Sequence, residues 1–126
     1  MKSIHPYIMV ENCKEAMEFY EEALGGEIKN VQASEEHGGK YMHAELHMND
    51  QIIHFSDVFQ DYGKITQGNS VYVLLEFEEK EEIKKVYESL QVGAEVGVEL
   101  QETFWGALHA NLIDKYGIGW MLNCQL

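Results

Sequence analysis

The chain has 126 residues, of which 45% are hydrophobic, and a formal net charge of −13 at pH 7. This length and composition are ordinary for one compact globular domain, so residues 1–126 are expected to form a single domain with its own core. The strong negative charge opposes binding to phosphate backbones and anionic lipid surfaces, so neither nucleic acid nor a membrane is an expected partner.

Cysteine usage indicates a reducing compartment, and hydropathy indicates neither a signal peptide nor a membrane span. Cys13 and Cys124 are the two cysteines, and without CxxC spacing they are expected to be free thiols. The sequence has no apolar run of signal-peptide length and none near the roughly 20 residues that a membrane span needs. These features predict a cytoplasmic protein.

The first predicted elements are a short strand and an acidic amphipathic helix. The strand begins near Tyr7, and Asn12 precedes the helix as a candidate N-cap, with Glu15 three residues later. One helix face carries the apolar residues Ala16, Phe19, Tyr20, Ala23 and Leu24. A glycine turn follows, so the helix is expected to end there with that face buried.

After the helix, the hydrophobic period changes from helical to alternating. The alternation of Met42, Ala44, Leu46 and Met48 with His43, Glu45 and His47 predicts a half-buried strand. The Asn49-Asp50 pair that follows predicts a tight hairpin to another strand. Residues 58–70 are polar and contain glycine, which predicts a linker and limits the first module to residues 1–57.

The second half of the chain repeats this pattern. Tyr72 to Val96 reads YVLLEFEEKEEIKKVYESLQVGAEV, which parallels YIMVENCKEAMEFYEEALGGEI from Tyr7 to Ile28. An alternating run around His109 and a turn at residues 114–117 complete a second module at 71–126. A repeat of this size is too large for a solenoid unit and too small for an independent domain, so the two copies are expected to share one core.

Each module therefore reads strand, helix and three strands. Two helices cannot cover both faces of eight strands, so they should pack on one apolar face and leave the other free. The predicted fold is α+β: two tandem βαβββ modules form a cupped, mostly antiparallel eight-stranded sheet with the helices on its convex face. Strand parity then places five of the six histidines on the concave face.

The concave face has the composition of a small-molecule site, mostly apolar and aromatic with a few polar anchors. The predicted ligand-binding residues are His5, Tyr7, Met9, His54, Ser56, Tyr72, Leu74, His109, Asn111 and Met121. His43, Glu45 and His47 form the sharpest local pattern, but residues two apart on a strand lie about 6.5 to 7 Å apart. A metal at this pattern would need ligands from a neighbouring strand.

The two tryptophans have different expected environments. Trp120 has the parity of the helix-covered face and is predicted to be core. Trp105 follows Phe104 at a strand entrance, where it would border either the cavity mouth or a dimer contact.

Several segments carry a resemblance to a known family. HPYIMVENCKEAMEFYEEALGG, HAEL, FSD and TFWGALHANLIDKYGIGWMLN resemble the vicinal oxygen chelate superfamily, which includes glyoxalase I, extradiol dioxygenases and the bleomycin and fosfomycin resistance proteins. The PhnB-like branch is the most similar. The resemblance implies a cupped sheet of paired modules, often completed in a homodimer. In metalloenzyme members, four inward strand positions hold a divalent metal, for which Zn, Ni, Mn, Fe and Mg are the candidates.

The resemblance implies four metal-ligand positions, of which only two hold a suitable residue in this sequence. His5 matches the first ligand position and His54 the second, whereas Ser70 or Tyr72 occupies the third in place of histidine. Met121 occupies the fourth in place of glutamate, and its thioether is a poor ligand for such ions and cannot act as a base.

The sequence therefore favours a protein that binds a small molecule without the usual four-ligand metal site. The alternative is a metal-dependent lyase, isomerase or dioxygenase-type enzyme with a rearranged His-rich site. In that case His43, Glu45 or His109 would supply the missing ligands from adjacent strands. Whether the protein is an enzyme stays open, and no residue is assigned a catalytic role.

Overall fold

The computed structural model describes the backbone of residues 1–126 and every side chain except that of Tyr62. The helices are α1 (Cys13–Leu24) and α2 (Lys80–Leu90), and the strands are β1 (Tyr7–Met9), β2 (Glu27–Ser34), β3 (Lys40–Met48), β4 (Gln51–Ser56), β5 (Val73–Phe77), β6 (Glu95–Glu102), β7 (Ala107–Ile113) and β8 (Gly119–Gln125). Two 3₁₀ turns cover Glu35–His37 and Gln60–Tyr62. This order confirms the α+β class and the two successive βαβββ modules.

The chain divides into two compact units, Met1–Ile65 and Thr66–Leu126, whose boundary falls inside the predicted linker. Each unit contains a four-stranded mixed sheet, with the order β1-β4-β3-β2 in the first and β5-β8-β7-β6 in the second. In both sheets the strand that precedes the helix pairs in parallel with the last strand of the module, and the other pairs are antiparallel. The repeated topology agrees with the repeat in the sequence.

The core of the first unit lies between α1 and one face of its sheet. Cys13, Ala16, Met17, Tyr20 and Ala23 are the buried residues of α1. The Tyr20 ring stacks on Phe55 of β4 with centroids 5.5 Å apart, and Ala44 and Leu46 of β3 are fully buried. The predicted alternation along β3 is thus confirmed, since His43, Glu45 and His47 lie on the opposite face.

Strand parity predicts that Met42 and Val71 lie under the helices, but both are exposed. Met42 is 46% exposed near the start of β3. A 12-residue helix is about 18 Å long, whereas the nine residues of β3 span about 30 Å, so α1 cannot cover the whole strand. Val71 is 80% exposed because it precedes β5, which begins at Val73.

The core of the second unit contains Ile83, Val86 and Leu90 of α2. Trp120 is completely buried, which confirms it as core. Its Nε1 donates a 2.7 Å hydrogen bond to Oδ2 of the buried Asp114. Oδ1 of Asp114 accepts from the backbone N–H groups of Tyr116 at 2.8 Å and Ile118 at 3.0 Å. The predicted turn at 114–117 is therefore present, and Asp114 links it by hydrogen bonds to the buried Trp120.

The beginning of α1 differs from the prediction. Asn12 has φ 54° and its side chain makes no capping bond, because its Nδ2 donates instead to Glu15 Oε2 at 2.7 Å. The first N–H of the helix, that of Cys13, donates to Oδ1 of the buried Asp57 at 2.9 Å. The helix is therefore capped by a residue that lies far away in the sequence. Its end agrees with the predicted glycine turn, where Gly25 takes a left-handed conformation with φ 72°.

Both cysteines are free, as expected, and both are buried. Burial, reinforced by the Asp57 carboxylate, raises the pKa of the Cys13 thiol to about 12. A thiol with such a pKa stays protonated at neutral pH, which fits a structural role. Neither helix in the described part of the chain has the length and apolar character needed to cross a bilayer.

Candidate metal centre

Three side chains on the free face of the first sheet bring potential metal-binding atoms together. His43 and Glu45 lie two residues apart on β3, and His54 on β4 is the direct pairing partner of Glu45. One nitrogen or oxygen atom from each residue lies within 4.8 Å of the other two, and all three residues are half-buried. The neighbouring strand that the His43-Glu45-His47 pattern required thus supplies a histidine. We call these three residues the His43–Glu45–His54 cluster.

The spacing within the cluster fits a small divalent ion. His54 Nδ1 lies 3.3 Å from His43 Nε2, which in turn lies 3.3 Å from Glu45 Oε2. Ligands arranged tetrahedrally around zinc at bond lengths of about 2.0 to 2.1 Å stand about 3.3 to 3.4 Å apart. Two imidazole nitrogens and one carboxylate oxygen are also donors that such ions favour. The residues present therefore fit a divalent metal.

The charge states of the cluster suit metal binding as well. Hydrogen bonds, first from Asn30 and then from His47, lower the pKa of Glu45 to about 2, so this carboxylate is ionised at physiological pH. Burial lowers the pKa of His54, although the negative charge of Glu45 partly opposes this effect. An ionised carboxylate and a neutral imidazole are the forms that bind metal ions.

Further contacts orient two of the three side chains. Glu45 Oε1 accepts hydrogen bonds from Asn30 Nδ2 at 2.9 Å and from His47 Nε2 at 2.7 Å. Tyr7 Oη lies 3.5 Å from His43 Nδ1, the ring nitrogen that points away from the cluster. Contacts of this kind fix the orientation of ligand side chains in metal sites.

The position of Asn30 comes from a bulge in β2. Lys29 pairs with Glu45 and Gln32 with His43, so Asn30 and Val31 together oppose the single residue Ala44. Asn30 has φ 55°, which is uncommon for a residue other than glycine. Sequence reasoning missed this residue. The available signal was an asparagine within a strand-like run, because asparagine is depleted in strands and enriched at positive φ.

The fold and this site can be compared with known proteins. The sequence profile of the Glyoxalase/Bleomycin resistance protein/Dioxygenase superfamily matches residues 2–122. The chain belongs to this superfamily. Protein YjdN of Escherichia coli (strain K12) is 27% identical over 139 residues, covering 95% of this chain and 93% of YjdN.

Two solved structures resemble the chain over nearly its whole length. Protein PA1353 from Pseudomonas aeruginosa has a TM-score of 0.89 and 27% identity, covering 99% of this chain and 98% of PA1353. The PhnB protein from Bacillus cereus, described as a putative 3-demethylubiquinone-9 3-methyltransferase, has a TM-score of 0.84 and 25% identity, covering 98% of this chain and 99% of PhnB. The expected likeness to PhnB-like proteins is thus confirmed.

The same fold also occurs in a metal-bound protein. The fosfomycin resistance protein FosX from Listeria monocytogenes has been solved with Mn(II) and sulfate, and its TM-score is 0.72 at 10% identity, covering 100% of this chain and 94% of FosX. At this identity the likeness concerns the fold alone. Proteins with the superfamily fold can therefore hold a divalent metal.

The superfamily pattern implied His5 as the first ligand, but the structure places it beside the cluster. The His5 ring packs edge-on against His54 with centroids 5.2 Å apart. Its Nδ1 lies 3.1 Å from the Ile52 carbonyl oxygen and its Nε2 lies 3.0 Å from Ser3 Oγ. Both ring nitrogens thus have partners outside the cluster. Of the two implied ligands, only His54 belongs to the three-residue set.

The other predicted residues of the first unit lie near the cluster. Tyr7 of β1 is 48% exposed, and its ring is parallel to that of His54 with centroids 6.1 Å apart. Met9 is half-buried and pairs with Ser56, which is completely buried. Within the described residues, the Ser56 hydroxyl has no hydrogen-bond partner. On this face Tyr7 is therefore exposed and His54 half-buried, whereas Ser56 is completely buried.

The predicted residues of the second unit lie on the free face of its own sheet. Met121 is paired with Leu74 on one side and Asn111 on the other, so these three form a row across β5, β8 and β7. His109 is paired with Asn123 in the same sheet. Met121 therefore has an amide and an aliphatic side chain as its lateral neighbours.

Tyr72 borders a pocket within the second unit. The pocket has a volume of about 400 Å³, and its polar lining includes Gln67, Asn69 and Glu95. The Tyr72 ring packs against Gly119, where a Cβ atom would approach the ring to 2.8 Å.

Trp105 is 52% exposed and packs edge-on against His109, with ring centroids 5.9 Å apart.

Proposed function

We propose that the first unit holds a divalent metal through His43 Nε2, Glu45 Oε2 and His54 Nδ1, and that the metal binds a small molecule with oxygen donors. The observation that carries this proposal is the placement of three suitable donor atoms on two adjacent strands: His43 Nε2 lies 3.3 Å from both Glu45 Oε2 and His54 Nδ1, and the three residues offer donor atoms that all lie within 4.8 Å of one another. Of the two functions considered from the sequence, this spacing supports the rearranged His-rich site.

The donor set narrows the choice of metal. Two imidazoles and one carboxylate suit zinc, iron and nickel better than magnesium, which prefers oxygen ligands. Three protein ligands would leave positions open on the ion, and a metal bound there would polarise an oxygen atom of the ligand. The exposed Tyr7 ring beside His54 offers an aromatic surface for the remainder of that molecule.

The same donor set also favours one type of metal-dependent reaction over another. Dioxygenase-type chemistry needs two histidines, one carboxylate and open metal positions. A glyoxalase-type proton abstraction needs a further carboxylate beside the metal to act as base. Glu45, the carboxylate of the cluster, is already assigned as a ligand. Of the metal-dependent reactions considered from the sequence, the dioxygenase type therefore fits the cluster best.

Metal content tests this proposal directly. Protein purified without chelator should contain about one divalent metal per chain, and metal-free protein should bind Zn(II) saturably in isothermal titration calorimetry with the same stoichiometry. A His109→Ala variant serves as the control. It should keep the metal content and the Zn(II) binding of the wild type, because this half-buried histidine lies on the second sheet. Metal well below one per chain, together with no saturable Zn(II) binding, would refute the proposal.

The second candidate function is metal-free binding of a small molecule in the second unit. The pocket beside Tyr72, at about 400 Å³, supports this candidate because ligand sites commonly measure about 300 to 1,000 Å³. Thermal-shift screening in the presence of EDTA separates the two functions, since stabilisation by a pocket ligand would persist without metal. The cytoplasmic location stays a prediction. The homodimer is also a prediction, which sedimentation equilibrium would check.

A further inference from the structure

We infer that Asn30 and His47 are positioning residues that make Glu45 bind the metal through a single oxygen. This inference rests on the proposed metal centre. Both donors reach the same oxygen, since Asn30 Nδ2 lies 2.9 Å and His47 Nε2 lies 2.7 Å from Glu45 Oε1. The other oxygen, Oε2, is the one that lies 3.3 Å from His43 Nε2.

Without such support a glutamate could bind an ion in more than one way. Its terminal torsion is soft, and a carboxylate can bind a metal through one oxygen or through both. Two hydrogen bonds to Oε1 fix the plane of the carboxylate and occupy one oxygen. Glu45 then supplies one ligand atom, which leaves one more metal position open for the small molecule than two-oxygen binding would.

The fold delivers the two donors from different strands. His47 follows Glu45 by two residues on β3 and therefore faces the same side of the sheet. Asn30 comes from β2, where the bulge adds the extra residue that places its amide at Oε1. His47 looks like a third ligand in the His43-Glu45-His47 pattern. Its short contact with Oε1 instead assigns it to supporting the carboxylate.

A glycine variant tests the role of Asn30 without straining the backbone. Asn30→Gly removes the amide, while glycine tolerates the left-handed conformation at φ 55°. Asn49→Gly is the matched control, because Asn49 also has φ 55° but lies in the β3–β4 hairpin. Loss of a supporting contact typically lowers metal affinity by about 10- to 100-fold. The Zn(II) affinity should therefore fall at least about 10-fold in Asn30→Gly and stay unchanged in Asn49→Gly.

Two further measurements separate positioning from general loosening of the sheet. His47→Gln keeps an N–H donor near the position of Nε2 and should retain most of the Zn(II) affinity, whereas His47→Ala should lose about 10-fold. Bound Co(II) absorbs visible light less strongly as its coordination number rises. The Co(II) complex of an Asn30→Gly, His47→Ala double variant should therefore absorb less than that of the wild type, because Glu45 becomes free to use both oxygens.

The possible results distinguish this inference from the proposal on which it rests. If the wild type binds Zn(II), but Asn30→Gly and His47→Ala keep its affinity and the double variant keeps its Co(II) spectrum, the positioning role is refuted and the metal centre stands. If the wild type shows no saturable Zn(II) binding, the metal centre itself is refuted, and the positioning role fails with it.

Discussion

Replacing His43 with alanine should weaken Zn(II) binding by about 100-fold or more, because it removes one of three proposed protein ligands and even supporting residues cost about 10- to 100-fold. Replacing His5 with alanine should have a much smaller effect, since both nitrogens of His5 have partners outside the cluster. Isothermal titration calorimetry on the metal-free variants measures both affinities.

This comparison decides between two assignments of the metal ligands. The family resemblance implies His5 together with His54, whereas the structure groups His54 with His43 and Glu45. His109→Ala provides a baseline for the loss of a histidine elsewhere. Equal losses of affinity in His5→Ala and His43→Ala would contradict the assignment to the cluster.

Replacing Asp114 with alanine should lower the free energy of unfolding by about 3 to 5 kcal/mol, because removing one partner from a buried polar network leaves the others unsatisfied. Asp114 is 4% exposed and accepts hydrogen bonds from the Trp120 indole and from two backbone N–H groups of the β7–β8 turn. The Trp120 side chain is itself completely buried, so water cannot easily replace the lost acceptor. Urea unfolding followed by tryptophan fluorescence measures the change.

Asp50→Ala is the control for this variant. Asp50 lies in the β3–β4 hairpin and is exposed, so its removal should change the free energy of unfolding by less than about 0.5 kcal/mol. A loss of under about 1 kcal/mol in Asp114→Ala would mean that the turn does not depend on this carboxylate.

The sequence predicted the elements of the fold well wherever the signal was local. The alternation around Ala44 and Leu46 identified β3 and its buried face, because side chains in a strand point to opposite faces in turn. The cap of α1 could not be predicted in the same way. Asp57 supplies it from 44 positions away, and no short-range pattern connects it with Cys13.

The candidate site was predictable in part. The spacing along β3 showed that a metal at His43 and Glu45 needed a further ligand from a neighbouring strand. The predicted hairpin at Asn49-Asp50 is sufficient to identify that ligand. A two-residue turn at 49–50 pairs Met48 with Gln51, and counting back along both strands places Glu45 opposite His54, as observed.

Asn30 and His5 show why the rest of the site could not be predicted. The register of Asn30 depends on a bulge between β2 and β3, and bulges shift pairing without a strong local signal. The orientation of His5 depends on the Ile52 carbonyl, which lies 47 positions away. Family resemblance gave the position of His5 but not the direction of its ring nitrogens.

The most direct test of the metal centre is a crystal structure of the Zn(II)-saturated protein with anomalous data at the zinc edge. We expect one strong anomalous peak about 2.0 to 2.2 Å from His43 Nε2, Glu45 Oε2 and His54 Nδ1. A peak at other residues, or no peak in this cluster at saturating Zn(II), would contradict the proposed metal centre.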